Sequence, residues 1–315
     1  MRIASTTLAA TAAVLAVTVG AAQAAELKFV TGPQGGSWYP LGGALKPLIE
    51  KALPGTTVAV APGGGVANAA AISGGKAQIG FGNSVTTVDA LNGSGPFNGK
   101  KLPGICNVGV LYPQYFQVVA LKDSGVKSGS DMKGKALSTQ KRGNTGEAVT
   151  IDWLKAYGFT FKDMAKVNQG SYNDSVNQLK DGNAQVFTLT TQVPAGSIMD
   201  IASARDVTIV GIDDAGVKKL QAINSGYKKI MIKAGSYPKQ DKDVQTVGFS
   251  THVIVPCSMD DKTAYGITKA MVEGLDNLAA IAKAMKGLTA KDIAADVGVK
   301  MHPGAAKYYK EKGAL

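Results

Sequence analysis

The residues that could do chemistry in this sequence are glycines, hydroxyls and amides gathered in short loops. The first loop runs from Thr31 to Tyr39, between an apolar run that ends at Val30 and a helical pattern that reaches about Leu53. Glycines let backbone N–H groups converge on a ligand, and the N-terminus of a following helix adds partial positive charge. This arrangement predicts that the loop binds one end of a small anion.

Two more loops of the same kind follow, at residues 62–68 and 82–84. Each comes after a predicted strand and before a predicted helix, and α/β sheets bind ligands at the carboxyl ends of their strands. Any one of these loops is equally well explained as a tight turn, but three of one type favour a binding site. The candidate residues from them are Gly35, Gly36, Ser37, Tyr39, Gly65, Asn68, Asn83 and Ser84.

A polar, glycine-bearing loop at residues 140–146 is predicted to face these loops from the second half of the chain. Arg142 is a candidate to bind a carboxylate through two parallel hydrogen bonds, although a solvated surface turn explains it about as well. Hydroxyl and amide groups around it, and at the end of another predicted strand, offer neutral donors. The candidates from this half are Arg142, Asn144, Thr145, Thr190 and Gln192.

Known catalytic and metal-binding patterns are missing from the sequence. The opening loop is not Gly-x-Gly-x-x-Gly, and there is no Gly-x-x-x-x-Gly-Lys-Ser/Thr phosphate loop. The two histidines, His252 and His302, have neither the spacing of metal ligands nor a serine-centred elbow. The sequence therefore predicts binding without turnover, with no catalytic residue, no metal and no cofactor.

Short apolar runs alternate with helical patterns along the chain, which predicts an α/β fold with largely parallel sheets. The length suits two domains. We expect the chain to start one domain, build a second and return, with crossing strands at residues 112–121 and 246–255. Domain I then comprises residues 26–115 and 255–315, and domain II comprises residues 116–254.

The N-terminal residues predict export. Arg2 is the only charge before Glu26, an apolar run follows it, and Ala22-Gln23-Ala24 has the small-x-small pattern of a signal-peptidase site. We therefore predict a cleavable signal peptide over residues 1–25 and a secreted, periplasmic protein; an uncleaved anchor is the alternative.

The net charge of +11 favours binding to nucleic acid, to anionic membranes or to acidic substrates. Export argues against nucleic acid, and no basic cluster with interleaved aromatics is present.

The sequence has two cysteines, Cys106 and Cys257. An oxidising compartment permits them to form a disulfide. Both lie near the same end of the two predicted crossing strands, which favours pairing. Two buried free thiols are the alternative.

Several motifs, taken in order, resemble the TAXI family, the extracytoplasmic solute receptors of TRAP transporters. Thr31-Gly32 with Gly35-Gly36-Ser37-Trp38-Tyr39-Pro40-Leu41-Gly42-Gly43 is similar to the opening of that family. Further similarity lies in Pro62-Gly63-Gly64-Gly65-Val66-Ala67-Asn68, in residues 78–84 and 131–135, and in His302-Pro303-Gly304-Ala305 with residues 308–313. The similarity extends over the whole chain after the predicted signal peptide.

The resemblance implies a periplasmic-binding-protein fold of the second topological type, with the ligand between two α/β domains. It also implies a membrane-embedded permease partner, with fused large and small subunits, that uses an ion gradient without ATP. Family members are associated with small carboxylates such as glutamate and 2-oxoglutarate. The chain departs from the family at residues 140–146, where a Gly/Ser/Thr-rich loop is usual, so the ligand's identity does not carry over.

Three other functions are compatible with the sequence. The chain is also interpretable as a receptor that supplies an ATP-driven importer, as an exported enzyme acting on an anionic substrate, or as a surface interaction protein without a small ligand. The enzyme needs a nucleophile or general base in the cleft, and the sequence offers no clear one.

Overall fold

The computed structural model describes residues 25–315. The predicted signal peptide, apart from Ala25, lies outside these residues. Within them, no helix is both long and apolar enough to cross a membrane. The strands are β1 (Ala25–Val30), β2 (Thr56–Ala61), β3 (Ile79–Asn83), β4 (Ile105–Leu121), β5 (Ala136–Gln140), β6 (Lys166–Gly170), β7 (Val186–Thr191), β8 (Val207–Val210), β9 (Lys228–Ile232) and β10 (Val244–Pro256).

Helices follow most of these strands, as the alternating pattern predicts. They are α1 (Trp38–Ala52), α2 (Gly65–Ser73), α3 (Ser84–Asn92), α4 (Thr145–Ala156), α5 (Tyr172–Lys180), α6 (Gly196–Ala204), α7 (Asp214–Ile223), α8 (Asp261–Glu273), α9 (Leu275–Ile281), α10 (Ala290–Ile293) and α11 (Pro303–Glu311). Short 3-10 helices lie at Gly95–Phe97, Lys122–Ser124, Gly129–Met132, Phe161–Asp163 and Lys283–Met285.

The strands form one mixed sheet in the order β2-β1-β3-β10-β4-β7-β5-β6, with β8 beside β4 and β9 beside β10. The long strands β4 and β10 pair antiparallel at its centre, from Tyr115–Gly248 to Ile105–Pro256. Parallel strands flank them on each side. We call β1–β3 with α1–α3 and α8–α11 the first lobe, and β5–β9 with α4–α7 the second lobe.

The apolar runs at residues 107–111 and 117–121 predict two separate strands, with the crossing segment starting at residue 112, but the structure has one continuous strand, β4. The sequence between them contains Pro113, which donates no backbone hydrogen bond and normally breaks a central strand. In the structure Pro113 is exposed and pairs with Ser250, next to a shift in the β4–β10 register. The irregularity accommodates the proline, so the strand runs through it and joins the lobes.

Each lobe has its own hydrophobic core on both faces of the sheet. In the first lobe, one cluster packs under α1, α8 and α11 and a smaller one under α2 and α3. In the second lobe, one cluster packs under α4 and α7 and another under α5 and α6. The amphipathic helices thus bury both faces of the sheet, and β4 and β10 contribute to the cores of both lobes.

A disulfide joins Cys106 on β4 to Cys257, the residue after β10, with 4.9 Å between their Cα atoms. The two residues are 151 positions apart, and the intervening chain contains the whole second lobe. The disulfide therefore ties together the first-lobe ends of the two crossing strands.

Replacing both Cys106 and Cys257 with serine should lower the free energy of unfolding by about 2–4 kcal/mol, because the disulfide restricts the unfolded chain over a long loop. Guanidinium unfolding of the variant and of the wild type measures the change. Wild type in excess reductant should unfold like the variant. Equal stability of the oxidised wild type and the variant would show that the disulfide does not stabilise the fold.

Candidate ligand-binding cleft

A cavity lies where the two lobes meet, with about 290 Å³ of space that no protein atom fills, part of it open to solvent. The first lobe contributes Pro33, Gly36, Ser37, Trp38, Gly65 and Asn83, strand β4 contributes Gln114, and the second lobe contributes Gln140, Asn144, Thr145, Tyr172, Thr190 and Thr191. None of these lining residues, all within the described chain, carries a charged side chain. The cavity is polar and neutral.

Four helices, α1 to α4, begin at this cavity. The residue before each helix or its first residue lines the cavity, as Ser37, Gly65, Asn83 and Thr145 show. In the described structure, none of these four helices has a side chain capping its N-terminus. Of the other described helices, α5, α7, α8, α10 and α11 have side-chain caps, whereas α6 and α9 also lack them.

An uncapped N-terminus leaves backbone N–H groups without intrahelical partners and carries roughly half a positive charge. Three such ends come from the first lobe and one from the second. Because all four face one neutral cavity, the site can attract an anion without a cationic side chain.

Two amide oxygens at the cavity have no hydrogen-bond partner within residues 25–315: Asn83 Oδ1 and Gln114 Oε1. Both side chains are 2% exposed. The amide nitrogen of Gln114 donates to Thr251 Oγ1 at 2.7 Å, which leaves its oxygen for another donor. Because buried polar groups in native structures are normally paired, these two oxygens are available to accept hydrogen bonds from N–H or O–H groups of a ligand.

The lobes are in direct contact around the cavity. The backbone N–H of Ala67 donates to the carbonyl of Gly143 at 2.9 Å, and Thr86 Oγ1 donates to Thr145 Oγ1 at 3.0 Å. A Cβ atom on Gly65 would lie 2.0 Å from Thr145 Oγ1, and one on Gly64 would lie 2.4 Å from Asn144 Oδ1. Because Gly64 and Gly65 have no side chains, the backbone of the second-lobe loop can come within hydrogen-bonding distance of the backbone of this loop.

The second-lobe wall of the cavity is held by buried hydrogen bonds. The Tyr172 hydroxyl donates to the Thr190 carbonyl at 2.6 Å, and Gln140 Oε1 accepts from the N–H and the hydroxyl of Thr190, each at 3.2 Å. Burial raises the pKa of Tyr172 above its ordinary value, so the hydroxyl stays neutral. A Cβ on Gly146 would lie 1.5 Å from Gln140 Oε1, so glycine is needed there.

On the first-lobe side, Ser37 Oγ lies 2.9 Å from the Tyr112 hydroxyl and 3.3 Å from Thr191 Oγ1 of the second lobe. Burial raises the pKa of Tyr112 to about 12. Ser37 therefore connects the start of α1 both to the crossing strand β4 and to β7.

Seven of the thirteen residues predicted from the sequence to bind a ligand line the cavity. They are Gly36, Ser37, Gly65, Asn83, Asn144, Thr145 and Thr190. They come from the first, second and third loops of the first lobe and from two loops of the second.

The other six lie elsewhere in the described chain: Gly35, Tyr39, Asn68, Ser84, Arg142 and Gln192. The Arg142 side chain is exposed, and Tyr39 is 38% exposed. Asn68 is buried, and its amide donates to the carbonyls of Thr31 at 2.7 Å and Phe81 at 2.8 Å. Asn68 thus ties the second loop to the first loop and to strand β3.

The remaining three contact protein groups. Ser84 Oγ accepts from the N–H of Ser250 at 3.2 Å, and the Gln192 carbonyl accepts from Gln117 Nε2 at 3.3 Å. A Cβ on Gly35, whose φ is +81°, would lie 2.5 Å from Asn173 Oδ1, so this glycine allows the opening loop to meet the start of α5.

Sequence reasoning did not select six lining residues: Pro33, Trp38, Gln114, Gln140, Tyr172 and Thr191. Pro33, Trp38, Gln140 and Thr191 lie in stretches that the sequence predicts to be loops or strand ends. Gln114 and Tyr172 lie outside those stretches. Tyr172 follows β6, a strand that the apolar pattern did not predict because Lys166–Gly170 contains one apolar side chain, that of Val167.

The histidines are parts of the scaffold. His252 is fully buried, its Nε2 lies 2.8 Å from Thr87 Oγ1, and burial lowers its pKa to about 3, so the ring stays neutral. His302 caps α11 through the N–H of Gly304. Across the described part of the chain, no group of three or more His, Cys, Asp or Glu residues is placed to hold a metal ion.

Comparison with solved structures identifies the fold. The chain is similar to a protein from Bordetella bronchiseptica RB50 (19% identity, 92% of this chain and 89% of that one, TM-score 0.53). It is also similar to a protein assigned to an L-cystine ABC transporter of Listeria monocytogenes (17% identity, 84% of this chain and 97% of that one, TM-score 0.52). An ancestral arginine-binding protein bound to arginine gives a TM-score of 0.50 at 17% identity, over 84% of this chain and 100% of that one. The fold is that of type II periplasmic binding proteins.

The sequence comparison identifies the family. Residues 29–313 match the profile of a family described as the NMT1-like family. This range contains every residue that lines the cavity and both cysteines of the disulfide. The chain belongs to the NMT1-like family.

Proposed function

We propose that this protein is a periplasmic solute receptor that captures a small organic anion between its lobes and delivers it to a membrane transporter. The observation that carries the proposal is the convergence of four uncapped helix N-termini on one uncharged cavity. A carboxylate placed there accepts hydrogen bonds from backbone N–H groups and gains from the helix dipoles.

The proposed site consists of residues that line the cavity. Arg142 is not among them, because its side chain is exposed and does not line the cavity. Backbone dipoles hold an anion without burying a full positive charge, so the empty site leaves no buried cation uncompensated. This property suits a receptor that must release its ligand.

We propose that the lobes separate by bending of β4 and β10, the two strands that cross between them. The moving units are then domain I, residues 26–115 and 255–315, and domain II, residues 116–254. A ligand in the cavity contacts both units only when they are together. Binding therefore favours the closed state in proportion to the contacts that are made only there.

We further propose that the transporter is a TRAP transporter of the TAXI type, with a fused permease driven by an ion gradient. The motifs from Thr31 to Gly313 that resemble this family support the proposal. A receptor for an ATP-driven importer is the alternative, because the same fold serves it equally well. Uptake in cells that carry this chain and its permease should stop with an ionophore and persist after ATP depletion; the opposite result favours the alternative.

An anionic ligand should be recognised through its charge. In a thermal-shift screen of small carboxylates, a ligand at 100 times its Kd should stabilise the chain by about 2.7 kcal/mol. The corresponding neutral amides are the control and should give no shift. Mass spectrometry after incubation should recover the ligand unchanged. Equal stabilisation by acid and amide would contradict anion recognition, and a converted ligand would indicate an enzyme.

Closure should depend on the missing side chain at Gly65. In Gly65→Ala, the added methyl group meets Thr145 Oγ1, so the lobes cannot close fully and affinity should fall at least tenfold, about 1.4 kcal/mol. Calorimetry with the best ligand of the screen measures the change. Gly43→Ala is the matched control, because a Cβ at that position of α1 has no atom within 4 Å. Unchanged affinity in Gly65→Ala would contradict the closed arrangement around the ligand.

The unpartnered oxygens of Asn83 and Gln114 should select ligands that carry a hydrogen-bond donor. An amino acid such as L-glutamate should bind at least tenfold more tightly than its 2-oxo analogue, because the oxo group leaves both buried oxygens unpaired. Asn83→Leu removes one of the two oxygens, and it removes no helix cap because the Asn83 side chain does not cap α3. It should therefore reduce the ratio of the L-glutamate affinity to the affinity of the 2-oxo analogue. Tighter binding of the 2-oxo acid would contradict this role.

A further inference from the structure

Helix α3 contributes apolar side chains to the cores of both lobes. Ala90 is fully buried in the first-lobe cluster under α2 and α3, whereas Val85, which is 2% exposed, belongs to the second-lobe cluster under α4 and α7. Val85 is not among the residues that line the cavity. The first lobe therefore places one buried apolar side chain against the second lobe at a point outside the ligand site.

The partner of Val85 is the segment 224–226, between α7 and β9. The Asn224 side chain donates to the Val85 carbonyl at 3.5 Å. A Cβ on Gly226 would lie 2.7 Å from Val85 Cγ1 and 3.6 Å from Val85 Cα. Gly226 does not have a positive φ, so its backbone does not require a glycine, and the close approach of Val85 does. We call this the α3 contact.

Packing rather than strand pairing joins the two sides of the α3 contact. Residues 224–226 precede β9, which pairs with β10 between Gly248 and Val244. Helix α3 follows β3, which pairs with β10 between Thr251 and Ile254. The register of β10 with β4 shifts beside the short stretch that separates these two pairings. A bend of β10 in this stretch therefore changes the distance between the two sides of the α3 contact.

We propose that the α3 contact holds the lobes together for part of the time before a ligand binds, and that it thereby raises the affinity for every ligand of the cavity. The proposal rests on the lobe motion in the proposed function. Separation of the lobes exposes the Val85 side chain to water, which costs free energy in proportion to the apolar area exposed. The α3 contact thus favours the closed state without touching the ligand.

The consequence for binding follows from the populations of the two states. When a ligand binds only the closed state, its apparent affinity is the intrinsic affinity multiplied by the fraction of the ligand-free protein that is closed. The α3 contact raises this fraction, so it raises the affinity for different ligands by the same factor. Residues that line the cavity instead determine which ligand is preferred.

Val85→Ala removes two buried methyl groups and should lower the closed-to-open ratio about tenfold, about 1.4 kcal/mol. Hydrogen exchange at the Ala67 amide of the ligand-free protein reports this ratio. Its N–H bonds to the Gly143 carbonyl across the cleft and, in the first turn of α2, has no partner within the helix. Calorimetry with L-glutamate as the probe reports the closed fraction. The factor by which Ala67 exchange accelerates, multiplied by the factor by which affinity falls, should be about ten.

Two controls separate lobe opening from damage to the fold. The Thr31 amide bonds to the Ala61 carbonyl within the first lobe and should exchange in Val85→Ala as it does in the wild type. Val88→Ala is the matched variant on the same helix, because Val88 Cγ2 faces the first lobe, 3.5 Å from the position of a Cβ on Gly298. It should change neither Ala67 exchange nor affinity. Equal acceleration at Thr31 and Ala67 in Val85→Ala would overturn the proposal.

A double-mutant cycle tests the contact itself. Gly226→Ala alone should also lower the closed-to-open ratio, because its methyl group meets Val85 Cγ1. In the presence of Val85→Ala the space is vacated, so Gly226→Ala should have little further effect. The same methyl group would lie 2.9 Å from Asn224 Oδ1 in its own lobe, and any effect through that atom is the same in both backgrounds. Additive effects of the two substitutions would contradict the proposal.

The remaining outcomes distinguish the α3 contact from the proposed function. An unprotected Ala67 amide in the ligand-free wild type, or equal protection in the wild type and Val85→Ala, would overturn the role of the α3 contact. Absence of binding by any carboxylate would instead contradict the proposed function. The exchange rates of the ligand-free variants would then still decide whether the α3 contact favours closure.

Discussion

The close approach of two loops, one from each lobe, is the constraint on which the site depends. The N–H of Ala67 bonds to the carbonyl of Gly143, and Gly64 and Gly65 have no side chains to hold the loops apart. Only at this separation do the N-terminus of α4 and those of α1, α2 and α3 face one cavity. Strands β4 and β10 join the lobes, and the disulfide ties together their first-lobe ends.

This arrangement gives the cavity an unusual chemistry. Its polarity comes from backbone N–H groups, hydroxyls and amides, and among the described lining residues there is no ionised side chain to neutralise a ligand. The missing helix caps and the two unpaired amide oxygens are complementary features, since one accommodates acceptors and the other accommodates donors. A ligand that supplies both completes hydrogen bonds on both lobes at once, which links its binding to closure.

The loops that line the cavity are defined by local signals in the sequence. Glycine-rich loops after β1, β2 and β3 follow apolar strands, and the polar loop after β5 repeats the plan, so Ser37, Gly65, Asn83 and Thr145 were found from their positions. The glycines had two interpretations, an anion-binding loop or a tight turn. The structure adds a third role for Gly64 and Gly65, the close approach of the opposite lobe.

The rest of the site depends on tertiary packing. Arg142 was the most chemically suggestive side chain, but the loop turns it outward. Gln114 lies within a crossing strand, away from the predicted loops, and Tyr172 follows a strand with a polar sequence. No local pattern shows that these positions come together, because the relative placement of the lobes decides it.

Hydrogen exchange at the backbone amide of Ala67 tests the central claim most directly. This N–H bonds to Gly143 across the cleft, whereas the N–H of Thr31 bonds to Ala61 within the first lobe and serves as the internal reference. The account predicts that the anion identified by the screen slows exchange at Ala67 much more than at Thr31. Equal protection of both amides, or none at Ala67, would contradict closure of the lobes around a bound anion.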